Sequence, residues 1–437
     1  MQPSGSLRIL FPEGSSLSAR EALSALGRLG YTIDICDPNP LCVCRFSRFV
    51  HTFHRCPSWS THPLEYLDYL LGLLKRERYD VLLPVHEQAF LFARFREDLS
   101  RYVSFAVADF NTFALLQSKA SFISVLDALK LPHPPTTICH SRAALEQPRA
   151  FPYYIKMAYG TAGSSVWRID DEVTQAAVID LLEARGFLNE HTDILVQDVA
   201  PGVLEVVQSV FDHGRLVAAH CYQQRAEGVG GSASARISMR RPLVLTHLEQ
   251  LGQHLHWHGS LMVDYLFDQE RGQPAYIEAN PRMGETMNAT FSGLNLADLL
   301  VQLSLQPSSP LMAASSQSGV QSHILLAVLL GTAIRGRSRF DLLSEVIQAL
   351  FKRGMYADSR EEWARAREDA LSLIPLLIVF LQLLLNPGSG TRIASQAISN
   401  YALTEETARL ILNWKDHARF TASHEPTDEG ERRDEHT

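Results

Sequence analysis

The sequence predicts a chain of several domains that mixes α/β and α+β architecture. Three observations carry that reading. Residues 7–36 alternate a short apolar run, a stretch with helical apolar spacing and a second apolar run, the strand–helix–strand order of a parallel sheet. Residues 151–305 are dominated by strand-like runs and include two alternating arms flanking a short polar turn. From residue 320 onward the pattern turns mainly helical. A length of 437 residues allows about two to four domains with ample core.

Composition narrows the class. Forty basic against 48 acidic side chains leave a formal charge of −8, and no basic run appears, which argues against a general nucleic-acid binder. A hydrophobic share of 46% excludes a largely disordered chain. The cysteines (Cys36, Cys42, Cys44, Cys56, Cys139 and Cys221) are too sparse for a disulfide framework, and the apolar run in MQPSGSLRILFPEG is too short for a secretory core. Both favour a reducing, cytoplasmic setting. The apolar stretch Leu371 to Leu385 is interrupted by Pro375 and Gln382 and falls short of the ~20 residues a spanning helix needs, so it reads as a buried helix.

Along the chain, LRILF at 7–11 reads as a buried strand, 17–29 as a helix stopped by Gly30, and YTIDIC at 31–36 as the next strand. A helix over 64–77 and a strand over 79–85 follow. Asp37 ends the second strand, where a dinucleotide fold would hold a ribose, but the first turn lacks G-x-G-x-x-G. Cys42, Cys44, His51, His54 and Cys56 match no standard zinc spacing, and the segment reads as a loop with packed cysteines and surface histidines. Residues 113–130 are helix-like, and LPHPPTT at 131–137 is a Pro-rich connector. Residues 361–370 read as a charged amphipathic helix, and 422–437 as a solvated acidic tail.

The residues with chemistry cluster in LMVDYLFDQERGQPAYIEANPRMG at 261–284. Glu278 and Asn280 are two apart on one arm and share a face, and Asp264 on the other arm can meet them. Two carboxylates and an amide oxygen suit a hard cation that bridges phosphates. Arg282 can clamp a phosphate or carboxylate. Upstream, Lys156 sits on a strand ahead of the small-residue loop Gly160, Thr161, Ala162, Gly163, Ser164 and Ser165, whose backbone N–H groups can approach phosphate oxygens. The strand ending in Gln197, Asp198 and Val199 can offer backbone groups to an adenine edge, and Glu205 can reach ribose hydroxyls. A second small-residue loop holds Gly228, Gly230, Gly231 and Ser232, beside Arg225, Arg236 and Arg240, where an acid or the γ-phosphate could sit. His86 and Glu87 close the strand VLLPV, the end at which open sheets bind ligands, and Glu87 could meet an amine.

A strand lysine, a Gly-rich loop, a Q-D-x-x-x-G hinge and a terminal D…E-x-N-P-R resemble, in order and spacing, the ATP-grasp superfamily over roughly residues 113–305. The flavour is similar to its carbamoyl-phosphate-synthase-like and carboxylate–amine ligase branch. The resemblance implies a Rossmann-like pre-ATP-grasp domain at 1–112, a first ATP-grasp lobe at 113–190, a second lobe with the metal site at 191–308, a helical C-terminal region at 309–421 and the tail at 422–437. By position it implies ATP and Mg²⁺ (or Mn²⁺) as cofactors. Lys119, Lys156, Gly160, Gly163 and Ser164 would meet the phosphates, Gln197, Asp198 and Val199 the adenine, and Glu205 the ribose. Asp264, Glu278 and Asn280 would hold the metal, with Arg282 and Arg236 acting in catalysis. Asp264 stands where the family often has Glu or Gln, and Asp198 where Glu is common. The implied activity is activation of a carboxylic acid as an acyl phosphate and its transfer to an amine, both small molecules, with homodimers common among relatives. Carboxyphosphate chemistry, carbamoyl transfer, non-catalytic ATP binding and a membrane-associated scaffold built on the C-terminal helices are the rival readings.

Overall fold

The computed structural model describes residues 6–161, 163–306, 311, 314–336, 338–363 and 367–414. The acidic tail expected at 422–437 lies outside the described residues.

Three sheets organise the chain. The first is parallel, in the order β3-β2-β1-β4, from β1 (Arg8–Phe11), β2 (Thr32–Asp37), β3 (Val50–Arg55) and β4 (Val81–Leu82). Its first crossover is the helix Leu17–Gly27, which starts at Ser16, whose hydroxyl accepts the Ala19 N–H at 3.0 Å. Ala19, Ala22, Leu23 and Leu26 of that helix pack on Ile9, Phe11, Ile33 and Ile35. The segment expected to be a Cys/His loop contains the edge strand β3 instead. His51 and His54 lie on it beside the buried Asp34, His51 Nδ1 at 3.0 Å, so parallel pairing and a buried carboxylate order the segment. Asp37 turns inward: it accepts the Gly14 N–H at 2.9 Å and the Ser15 hydroxyl at 2.8 Å, which ties the first turn to β2.

The second sheet is small and antiparallel, ordered β5-β8-β6-β7, from β5 (Thr136–Cys139), β6 (Tyr153–Met157), β7 (Val166–Ile169) and β8 (Ile194–Asp198). The helix Glu172–Ala184 covers it through Val178, Ile179 and Leu182. The third sheet runs β13-β12-β9-β10-β11-β15-β16, with β14 beside β10. Its strands are β9 (Val203–Asp212), β10 (Arg215–Glu227), β11 (Ala233–Met239), β12 (Gly259–Asp268), β13 (Gln273–Asn280), β14 (Ala314–Ser315), β15 (Gln321–His323) and β16 (Ser359–Glu361). Helices Pro242–Leu255 and Leu296–Ser304 interrupt the strand-rich span.

Two expectations about the C-terminal region are corrected. The charged helix expected over 361–370 is absent among the described residues: β16 ends at Glu361 and a 3₁₀ turn occupies Ala370–Ser372. Two of the acids there, Glu362 and Asp369, are buried partners of Arg236 and Arg20 and take no part in a solvated helix face. The apolar helix Leu373–Leu385 buries Pro375, Leu376 and Leu383 but leaves Leu377, Leu381 and Leu385 more than half exposed, so it is only partly buried. Among the described residues, no helix is long and apolar enough to cross a membrane.

Candidate active site

The site forms where the β12–β13 hairpin, the N-terminal turn and the C-terminal helices converge. On the hairpin, Asp264 is the direct cross-strand partner of Glu278, which puts both carboxylates on one face. The amide of Asn280 closes the group by donating from Nδ2 to Asp264 Oδ2 at 3.2 Å. Asp264 Oδ1 is buried without a hydrogen-bond partner. Burial, then the neighbouring Glu278, pushes the Asp264 carboxyl up to about 7. Burial would raise Glu278 as well, but Lys119, Lys156 and Arg282 together outweigh it and hold that carboxyl below its ordinary value. An orphaned oxygen beside a second carboxylate and an amide is a donor set that a hard divalent cation satisfies.

Lys119 owes its place to a helix break. The helical span expected at 113–130 is two helices, Phe110–Gln117 and Lys119–Leu129, and Ser118 caps the second. Lys119 is therefore its first residue, and its Nζ reaches Glu278 Oε1 at 2.9 Å and the Gly160 carbonyl at 3.4 Å. Lys156 on β6 donates to Gln197 Oε1 on β8 at 2.6 Å, because Gln197 is the register partner of Tyr154, two residues from Lys156 and on the same face. Burial lowers the Lys156 ammonium to about 8. Asp198 and Val199 lie at the exposed end of β8, with Asp198 3.7 Å from Arg149.

The two small-residue loops touch. Gly163 has φ +69°, and a Cβ there would lie 2.9 Å from the Gly230 carbonyl oxygen. The Ser164 hydroxyl donates to the Thr161 carbonyl at 2.8 Å. Thr161 in turn donates to Glu87 Oε1 at 2.9 Å. Glu87 is the partner of Arg282, whose Nη1 is 2.8 Å from the same oxygen. The strand expected over 79–85 is confined to Val81–Leu82, and the segment after it carries Glu87, at the start of the helix Gln88–Arg94, to Arg282. His86 beside it is buried against Tyr401 with ring centres 4.4 Å apart, and burial keeps its imidazole well below its ordinary value, hence neutral.

Two expected ligand contacts are corrected. Glu205 is fully buried, and Arg241 holds both its oxygens at 2.8 and 2.5 Å while the Tyr265 hydroxyl donates to one at 3.0 Å. Its oxygens do not face the cavity. Arg236 is 1% exposed and bonded to Glu362, with Glu285 at 3.5 Å and Glu21 at 3.8 Å. Three carboxylates enclose that guanidinium, so it serves as a buried hub. Arg240 is exposed, and Arg225 bonds Gln321.

A cavity of about 250 Å³ adjoins the Asp264, Glu278, Asn280 and Arg282 set. C-terminal residues line it too: Leu326 and Leu330 from the helix Leu325–Ile334, Ala394 and Ile398 from the helix Gly390–Ser399, and Tyr401. The signal for the second helix was present in the sequence, since Ala394, Ala397, Ile398 and Tyr401 stand at i, i+3, i+4 and i+7. Nothing in that spacing names the surface it faces.

No protein-family model and no curated protein matches the sequence. Solved structures do match. An L-amino acid ligase from Bacillus licheniformis superposes with a TM-score of 0.58 at 16% identity, over 74% of this chain and 81% of that one. The biotin carboxylase domain of the Hydrogenobacter thermophilus 2-oxoglutarate carboxylase, a dimer solved with MgADP and bicarbonate, gives 0.57 at 12% identity over 72% and 73%. Staphylococcus aureus N5-carboxyaminoimidazole synthetase, complexed with ADP, gives 0.56 at 13% identity over 76% and 86%. With its parallel N-terminal sheet, its small antiparallel sheet and its larger sheet bearing the Asp264–Glu278–Asn280 face, the chain shares the fold of these three enzymes.

Proposed function

We propose that this protein is an ATP- and Mg²⁺-dependent ligase that joins a small carboxylic acid to an amine. The acid's oxygen attacks the γ-phosphorus of ATP, the β–γ bridging P–O bond breaks, and ADP leaves. The amine nitrogen then attacks the acyl carbon, the bond to phosphate breaks, and the nitrogen sheds a proton. Amide, ADP and inorganic phosphate are the products. The observation that carries the reading is the face of Asp264, Glu278 and Asn280 with one buried carboxylate oxygen left without a partner, next to two buried lysines and Arg282.

Asp264, Glu278 and Asn280 would hold the divalent ion. Bound there, it would neutralise phosphate charge as the γ-phosphoryl group transfers. The chain's own residues do the rest by position and charge. Lys119 and Lys156 present ammonium groups to phosphate oxygens. Gly160, Gly163 and Ser164 bring loop backbone to the same phosphates, and Gln197, Asp198 and Val199 receive the base. Arg282, steadied by Glu87, stabilises the transferred phosphoryl group or the acid. The dimeric biotin carboxylase neighbour supports a homodimer as a state to look for.

The test is hydroxylamine trapping. The purified protein is incubated with Mg-ATP, pooled amino and organic acids and hydroxylamine, with Glu278→Gln as control. Hydroxamate and ADP from the wild type, reduced at least about a hundredfold in the variant with its melting temperature kept, is the expected result. ADP formation retained by Glu278→Gln would remove the hairpin face from the reaction.

A further inference from the structure

Resting on the ligase reading above, the cavity adds a statement about substrate. Its lining is of two kinds. Part of it is charged, from Asp264, Glu278 and Arg282. Part of it is apolar, from Leu326, Leu330, Ala394 and Ile398 with Leu17 and Val43, the last two packed on the cluster that holds Leu326. That wall supplies no charged side chain, so a charged group lodged there would lose its water without a partner.

Glu285 belongs to the same lining. It lines the cavity with its side chain 24% exposed, and Ser18 donates to its Oε1 at 3.2 Å. Among the described residues its only cationic partner is Arg236, at 3.5 Å, and Arg236 is shared with Glu21 and Glu362, whose side chains are 1% and 0% exposed. One guanidinium therefore faces three carboxylates. Glu21 and Glu362 are sealed from the cavity, and Glu285 alone presents the surplus negative charge to it. Arg282, which lines the same cavity, is already paired with Glu87. A carboxylate at a cavity wall with shared compensation is complementary to a cation brought by the ligand.

We infer that the cavity takes a substrate bearing a primary ammonium group and an apolar substituent, with the ammonium against Glu285 and the substituent against the wall formed by helices Leu325–Ile334 and Gly390–Ser399. The C-terminal region is then the selectivity wall of the site. Two sources share this chemistry: an amino acid with a branched or aromatic side chain, and a simple amine acceptor.

The test is calorimetric binding to the full chain, with and without a non-hydrolysable ATP analogue and Mg²⁺, using L-leucine, isoamylamine, N-acetyl-L-leucine and L-glutamate as probes. Leucine, isoamylamine or both should bind at least about tenfold more tightly than N-acetyl-leucine and glutamate. Leucine alone would assign the site to an amino acid, and equal binding of the two to an amine. Glu285→Gln should weaken the ammonium ligands roughly 10- to 100-fold with nucleotide affinity unchanged. Leu330→Trp, which leaves Glu285 in place, should weaken leucine but not alanine. Preference for glutamate or for N-acetyl-leucine would overturn the inference, as would a folded Glu285→Gln that binds leucine like the wild type. If the nucleotide binds and other acids yield hydroxamate while these probes fail, the inference falls and the ligase reading stands. If no nucleotide binds, the ligase reading falls, and the titrations without nucleotide still decide the cavity.

Discussion

At the scale of single residues, the site is governed by how few charges it leaves uncompensated. Lys119 is paired with Glu278 and Arg282 with Glu87, whereas Lys156 has no ion pair among the described residues, donating to the neutral oxygen of Gln197 and standing 5.6 Å from the Tyr154 ring centre. Burial without a direct anionic partner is why its ammonium titrates near 8 rather than in the ordinary lysine range. The proton is therefore present below about pH 8 and lost above it. If Lys156 meets phosphate, ADP affinity should hold from pH 6.5 to 8 and weaken between 8 and 9.5 in the wild type. Lys156→Ala should bind ADP roughly 10- to 100-fold more weakly at pH 7 and show no such decline. Fluorescence or calorimetric titration across that range checks both, and a wild-type affinity that ignores pH would take Lys156 out of the phosphate site. Strand alternation is why the sequence shows that Glu278 and Asn280 share a face and that Asp264 can meet them. It does not show the buried partners of Glu205 and Arg236, because a charged residue near a motif reads the same whether its partner is a ligand or a distant side chain. Glu362 lies 126 residues from Arg236, and no spacing rule links them.

At the scale of elements, short backbone devices do the positioning. The Ser118 cap splits one apparent helix into two and sets Lys119 at a helix start. The register of β12 against β13 sets Asp264 opposite Glu278. The contact of Gly163 with the Gly230 carbonyl joins the two small-residue loops and leaves no room for a methyl group. Gly163→Ala combines a left-handed backbone with that collision, at about 1–3 kcal/mol of local strain. We expect turnover to fall about tenfold or more while the melting temperature shifts by a few degrees at most, since the loops carry little core. Steady-state ADP release alongside thermal unfolding measures the two effects separately. Turnover at the wild-type rate would mean that the loops need not meet for reaction. The hairpin was legible in the sequence because its alternation and turn are local. The strand β3, the break at Ser118 and the strand β16 were not, because each depends on a neighbour supplied by another part of the chain.

At the scale of the whole molecule, the C-terminal region is built into the fold. β15 and β16 extend the large sheet, Glu362 neutralises Arg236, and Asp369 holds Arg20 of the first crossover helix at 3.0 Å. Asp369 also accepts the Ser47 hydroxyl at 2.6 Å and the Arg48 N–H at 3.1 Å. Arg20 is fully buried, so Asp369→Ala would strand its charge in the interior. The expected loss is about 3–5 kcal/mol of unfolding free energy, read as a lower denaturant midpoint. A change below about 1 kcal/mol would show that the cross-domain pair is dispensable. The local pattern of the sequence by itself determined the strand–helix–strand start, the hairpin with its carboxylate face and the order of lysine, loop, hinge and acidic hairpin, since periods of two and 3.6 residues and turn chemistry act over a few neighbours. Only the tertiary structure decided that the C-terminal helices wall the cavity, that Arg236 and Glu205 are committed to buried partners and that Glu87 stands behind Arg282. Those outcomes depend on which distant groups share one low-dielectric interior, where charges must find partners across the whole chain.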